Sequence, residues 1–150
     1  MKGLFLGDVV GQAGREAILT HLPILREKLV PDVIIANVEN AAHGFGLTPK
    51  MFEFFKRNGV HVMTMGNHTF DKKDVLPLLE SKPELIRPLN YPEGTIGSGF
   101  YVHTLKDGRK IGVVQVMGQV FMREIASPFQ AMEDFLKTQV LGKDLSALIV

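Results

Sequence analysis

Three times before residue 70, a short apolar run stops at a polar turn and gives way to helical spacing. This alternation constrains the fold more than any other feature of the chain. The first run, residues 2–7, ends at Asp8-Val9-Val10-Gly11, a turn-like segment. Ile18, Leu22, Leu25 and Leu29 then recur at helical spacing, predicting a helix over roughly 14–29 that Pro23 should kink or split in two. Pro31-Asp32 ends it, residues 33–36 read as a second, buried strand, and 37–46 form a polar loop with glycines. Thr48-Pro49 supplies an N-cap and first turn for a helix that turns Met51, Phe54 and Phe55 to the core and closes at Gly59. Residues 60–65 are the third strand, followed by Gly66-Asn67-His68 and a helix near 71–80.

Successive strand–helix units imply parallel strands joined by right-handed crossovers, hence an α/β class. The second half reads differently. After a proline-rich loop over 87–99, residues 100–105 and 110–116 flank Asp107-Gly108, a two-residue hairpin signal. Ser127-Pro128 opens another helix with Phe129, Met132, Leu136 and Val140 on one face, and residues 147–150 look like a strand beginning. Functional loops in open α/β sheets follow the carboxyl ends of strands. A chain that stops in such a strand is expected to be the N-terminal part of one longer domain, with 1–150 lying inside it.

Composition narrows the function classes. Seventeen basic and sixteen acidic side chains leave a net charge of +1 with no dense basic run, which argues against stable nucleic-acid binding. The absence of cysteine excludes disulfides and thiolate metal sites. Asp8 interrupts the N-terminal apolar run before a signal-peptide core forms, and no stretch approaches the roughly 20 apolar residues of a membrane span. A cytoplasmic, soluble protein is the expectation.

The chemistry-bearing residues fall at the strand ends. Strand one ends at Asp8, strand two leads to Glu39-Asn40, and strand three ends at Asn67-His68. In a parallel sheet these ends share one edge, so two carboxylates, two amides and an imidazole are expected in one crevice. Like charges at close range repel, and a multivalent cation removes that penalty. Oxygen-rich sites of this kind suit magnesium, manganese or iron. A metal pair roughly 3.5–4 Å apart clamps a phosphoryl oxygen and acidifies a bound water, while His68 is placed to protonate a departing alkoxide. Taken singly, each signal has a plainer meaning: an Asp after a first strand is often a cap, and Asn-x-Glu-Asn is often a polar turn. Gly-Asn-His is more specific, because glycine allows a sharp turn and the next two side chains both carry ligand atoms. Among the other histidines, His21, His61 and His103 are expected to be structural or solvated, and His43 sits in the loop after Asn40, within reach of a substrate. Phe54 and Phe55 read as core, and Lys56-Arg57 as a solvated helix end.

At these residues the sequence resembles the YmdB-type bacterial metallophosphoesterases. The segments that carry the resemblance are Gly-Asp-Val-Val-Gly (7–11), Asn-Val-Glu-Asn-Ala-Ala (37–42), Gly-Phe-Gly (44–46), Met-Gly-Asn-His (65–68) and Arg-Pro-Leu-Asn-Tyr-Pro-Glu-Gly-Thr (87–95). Val-Met-Gly-Gln-Val-Phe-Met (116–122) and Ser-Pro-Phe-Gln-Ala-Met (127–132) extend it over essentially the whole chain. The resemblance implies a calcineurin-like fold of two facing mixed sheets flanked by helices, and phosphodiesterase activity that includes 2′,3′-cyclic nucleotides. It implies two divalent ions, iron or manganese with magnesium as a further candidate. Asp8, Glu39, Asn40 and Asn67 are the implied ligands, Glu39 the bridge and His68 the proton donor. The wider superfamily usually carries a histidine two residues after the first aspartate; here that position is Val10, a lack that YmdB-type members share. Imidazole ligands in such proteins come from segments beyond residue 150, so this stretch holds the oxygen-rich half of the site. The expected partner is a small phosphodiester, with no membrane; homo-oligomerisation is left open.

Two other readings compete. Gly7, Gly11 and Gly14 hint at a nucleotide-binding domain without hydrolysis, although Gly-Asp-x-x-Gly-x-x-Gly does not match Gly-x-Gly-x-x-Gly and Asp8 sets negative charge where a pyrophosphate would approach. A regulatory protein that keeps the metal site but acts through partners is the third.

Overall fold

The computed structural model describes residues 1–122, 125–139 and 141–150. Strands β1 (Gly3–Leu6), β2 (Val33–Asn37), β3 (Val62–Thr64) and β4 (Leu85–Ile86) form one sheet in sequential order, and every pairing in it is parallel. The crossovers are α1 (Gly11–Leu29), α2 (Pro49–Arg57), and a 3-10 turn (Lys73–Val75) that runs into α3 (Leu76–Ser81). Strands β5 (Phe100–Thr104) and β6 (Lys110–Val114) make the expected antiparallel hairpin, and β7 (Ala147–Ile149) joins β6 in parallel. Helix α4 (Pro128–Leu136) lies between β6 and β7 in the chain.

Residue alternation along the strands builds two cores. Ile34, Ala36, Met63 and Leu85 face the helices, where they pack with Ile18, Leu22, Phe52, Phe55 and Leu79. Their neighbours Val33, Ile35, Val62 and Ile86 face the other way, against Ile111 and Val113 of the second sheet and Leu105 just past β5. The two sheets therefore face each other, and α1 to α3 cover the outer side of the parallel one. Among the described residues, no helix is long and apolar enough to cross a membrane.

Several expectations need correction. Pro23 does not split α1, which runs unbroken from Gly11. Proline deprives only the Leu19 carbonyl of its helical partner, and both residues stand on the exposed side, where water can replace the lost bond. The helix expected near 71–80 is two short pieces, and Pro77 occupies the first turn of the second, where a missing N–H costs nothing. The third strand is shorter than 60–65, and β4 was not anticipated, since two residues show no periodicity. On α2 the buried residues are Phe52 and Phe55, three apart and so on one face, while Met51 and Phe54 only flank the core. The face expected to bury α4 is only partly covered: Phe129 is 80% exposed and Leu136 45%, while Met132 is half-buried. Phe135 docks that helix instead, edge-on to Phe100 with ring centroids 4.6 Å apart. Val140 lies outside the described residues.

Candidate functional site

The parallel register brings the ends of β1, β2 and β3 to one edge, where short backbone contacts tie their loops together. The Val9 N–H donates to the Asn37 carbonyl at 3.1 Å, fixing the turn that presents Asp8 to solvent. Gly11, with φ +54, donates its N–H to the Asn40 carbonyl at 2.9 Å. A side chain there would be strained, because this left-handed backbone is readily adopted only by glycine. The Asn40 amide reaches back and donates to both carboxylate oxygens of Asp8, each at 2.9 Å.

Glu39 is held from three directions. Its N–H donates to Asn37 Oδ1 at 3.3 Å, and its Oε1 accepts from Asn37 Nδ2 at 3.4 Å. Its Oε2 accepts from the His68 N–H at 3.2 Å, which binds the second loop to the third. Gly66 makes this approach possible. A Cβ at that position would lie 2.5 and 2.7 Å from the two carboxylate oxygens, inside any tolerable contact. Asn67 follows directly, exposed, and makes no side-chain hydrogen bond among the described residues.

The structure thus joins Asp8 to Asn40, and Glu39 to the turn 66–68, with the Glu39-Asn40 peptide linking the two pairs. It does not gather all four side chains into one hydrogen-bonded cluster. Among the described residues, no three of His, Cys, Asp and Glu are grouped for a metal ion. The set at the sheet edge is two carboxylates and two amides. Neither Asp8 nor Glu39 forms an ion pair among the described residues.

His68 has a partner that the sequence reading missed. Its Nδ1 lies 2.6 Å from Asp71 Oδ2, and its ring stands edge-on to Phe45 at 5.1 Å. Asp71 accepts an Nδ1 proton and so leaves Nε2 as the nitrogen available to a ligand. The three-residue spacing was visible, but a helix assigned over 71–80 concealed the turn that brings the two side chains together. His68 and Asn67 border a cavity of about 510 Å³.

The remaining histidines stay apart from this edge. His61 Nδ1 accepts from the Ile34 N–H at 2.9 Å, and its ring lies 4.8 Å from that of His103. Burial holds both imidazoles below their ordinary range, helped at His61 by the neighbouring His103 and by Lys56, Arg26 and Lys106. Both are structural, as expected. His21 is exposed on α1, and exposed His43 borders a groove with Arg15, Lys50 and Arg57 rather than the His68 cavity. Lys56 is not simply solvated: it pairs with Glu84 at 2.9 Å, while Arg57 is exposed.

Residues 4–150 match the family model described as YmdB-like protein. The chain belongs to the YmdB-like family. A relative from Bacillus subtilis (strain 168), named 2′,3′-cyclic-nucleotide 2′-phosphodiesterase, is 39% identical over 136 residues, covering 91% of this chain and 51% of the relative. A putative phosphatase/phosphodiesterase from Mycoplasma genitalium is 40% identical, covering 100% of this chain and 54% of that protein. Among solved structures, a novel phosphatase from Mycoplasma pneumoniae superposes with a TM-score of 0.90 at 35% identity, covering 100% of this chain and 54% of that one. A hypothetical protein from Thermus thermophilus gives 0.87 at 42% identity, with coverage of 93% and 54%. The chain spans about half the length of the curated relatives it matches.

Proposed function

We propose that this chain carries the oxygen-ligand portion of a two-metal phosphodiesterase centre that hydrolyses 2′,3′-cyclic nucleotides. The observation that carries the reading is an uncompensated charge: Asp8 and Glu39 meet only amide donors at the strand edge, with no cationic side chain paired to either among the described residues. Two carboxylates so placed favour a multivalent cation. Asp8, Glu39, Asn40 and Asn67 would hold two divalent ions, iron or manganese with magnesium as a further candidate, with Glu39 between them, supplying charge neutralisation at phosphorus and an acidified water. Four side chains are fewer than two six-coordinate ions take, so water or further protein groups fill the remainder. Asn40 would offer such an ion its amide oxygen, while its Nδ2 here donates to Asp8.

His68 holds a proton at Nε2 and delivers it to the ribose oxygen that leaves phosphorus, while Asp71 keeps the ring oriented through Nδ1. The facing sheets with outer helices fit a calcineurin-like arrangement, of which residues 1–150 would form the N-terminal part, with imidazole ligands supplied from elsewhere in a protein of the relatives' length. The phosphodiesterase named from Bacillus subtilis supports the substrate class. A cytoplasmic location belongs to the same proposal.

The competing nucleotide-binding reading loses its phosphate cradle. The Gly11 N–H is occupied by the Asn40 carbonyl, and the Gly14 N–H by the Val10 carbonyl. Gly14 is required by packing instead, since a Cβ there would lie 2.9 Å from Val9. Hydrolysis of 2′,3′-cyclic AMP with manganese or iron, by protein of the relatives' length, tests the proposal. Asn67→Ala and His68→Ala are each expected to lower the rate about a hundredfold or more. Unchanged rates in both variants would remove the catalytic assignment. Dinucleotide binding that survives a chelator would favour the alternative.

A further inference from the structure

The cavity of about 510 Å³ beside His68 is not explained by metal binding or proton transfer, and its size falls in the range of small-molecule sites. Beyond Asn67 and His68 its walls are largely aromatic and apolar: Phe70, Tyr91, Phe121 and Met122. Phe70 and Tyr91 meet edge to face, with centroids 5.5 Å apart. Phe121 is fully exposed and sits at φ +60, a backbone conformation uncommon for a bulky residue. An exposed aromatic ring that borders an aromatic-walled cavity is available to stack on a flat apolar partner.

These walls are built by buried polar clamps. Arg87, 9% exposed, donates to the carbonyls of Pro88, Thr95 and Ile96 at 2.7, 3.0 and 3.3 Å, folding the loop that carries Tyr91. Asn90, 2% exposed, accepts from the Met117 N–H at 2.9 Å. Its amide also donates to the carbonyls of Met117 and Ala126 at 2.7 and 2.8 Å. Asn90 therefore ties Met117 and Ala126 to the loop that bears Tyr91.

We propose that this cavity is the base subsite: a nucleobase stacks on Phe70 and Phe121, with Tyr91 and Met122 closing its sides, while the ribose phosphate lies toward Asn67 and His68. This rests on the cyclic-nucleotide reading and adds which residues recognise the nucleoside. Stacking, rather than hydrogen-bond readout, sets the selectivity. Among the described residues lining the cavity, the acidic group is Asp71, and it is engaged by His68. Purines are therefore preferred over pyrimidines by stacking area, with adenine and guanine accepted alike.

The test compares 2′,3′-cyclic AMP with methyl riboside 2,3-cyclic phosphate, which has the same cyclic diester and no base. Alongside hydrolysis, binding of 3′-AMP and of methyl riboside 3-phosphate to the metal-free chain is measured by ligand-observed NMR. The parent is expected to favour the base-bearing member of each pair about tenfold or more, and Phe70→Ala or Phe121→Ala to bring that ratio toward one. Exposed Phe121 can be truncated without loss of core packing, so its variant separates recognition from folding. Equal treatment of the two members by the parent, or a ratio unchanged in both variants, overturns the base subsite. Hydrolysis is read with protein of the relatives' length; base-dependent binding without hydrolysis of either diester by that protein upholds the base subsite and overturns the phosphodiesterase reading instead.

Discussion

Between the parallel sheet and its crossover helices, Phe52, Phe55, Met63, Met65 and Leu85 are each at most 1% exposed, whereas on α4 Phe129 stands largely in water and Leu136 about half so. The difference lies in how each helix is joined to its sheet. Helices α1 and α2 are crossovers between adjacent parallel strands and must lie flat on them, so their apolar faces find the β2 and β3 side chains directly. Helix α4 follows a long excursion after β6 and touches its sheet through the Phe135–Phe100 pair. The close-packed region also carries every candidate metal ligand, so the site stands on the more rigid support.

The largest test of this contrast is a pair of truncations. Phe52→Ala should lower unfolding free energy by about 3–5 kcal/mol, and Phe129→Ala should change it by no more than about 0.5 kcal/mol, both read by urea denaturation. A comparable cost at the two positions would break the comparison.

A smaller effect is expected where the packed region meets the site. Gly66→Ala forces a Cβ against the Glu39 carboxylate, at a cost of about 1–3 kcal/mol. If the proposed metal centre forms, the substitution should also weaken the stabilisation expected from added manganese, as followed by thermal unfolding with and without the ion. Equal manganese stabilisation in parent and variant would detach Glu39 from the metal.

Thr64 sharpens the picture in the opposite direction. Its hydroxyl is buried at the end of β3 without a hydrogen-bond partner among the described residues. Thr64→Val should stabilise the fold by about 1 kcal/mol in the same denaturation assay. Destabilisation would mean that the hydroxyl has a ligand.

The smallest effect concerns the seam between the two regions, where His61 beside β3 meets His103 of β5. Both folded pKa values lie below the ordinary 6.5, chiefly through burial. Their contribution is therefore fully present above about pH 6.5 and is lost as pH falls through the lowered folded values, because the unfolded chain takes up protons first. Both rings keep partial solvent contact, which holds the effect to about 1 kcal/mol or less. A stability profile from pH 7 to 5 should flatten in His61→Gln; an unchanged slope would remove these histidines from the seam.

Much of the parallel region was legible, and specific residues show why. The period of Ile18 and Leu22 and the continuous run at 33–36 are local patterns that the tertiary fold did not override. Asp8, Glu39 and Asn67 could be read as strand-end residues because parallel topology follows from the alternation itself. Asp71 was hidden because its importance depends on a turn rather than a helix. The apolar face of α4 was misread because periodicity reports that a helix has such a face, without reporting what covers it.

The amino-acid pattern by itself determined the alternation of strand and helix, the hairpin at Asp107-Gly108, and the delivery of Asp8, Glu39, Asn40, Asn67 and His68 to a common edge. Those features are set within a few residues or by the handedness of a crossover. Only the tertiary structure decided that Gly66 clears the way for Glu39, that Asp71 steadies His68, and that Asn90 ties two distant loops into an aromatic cavity. Each depends on atoms meeting across separate turns, and the spacing of residue types along the chain carries no record of those distances.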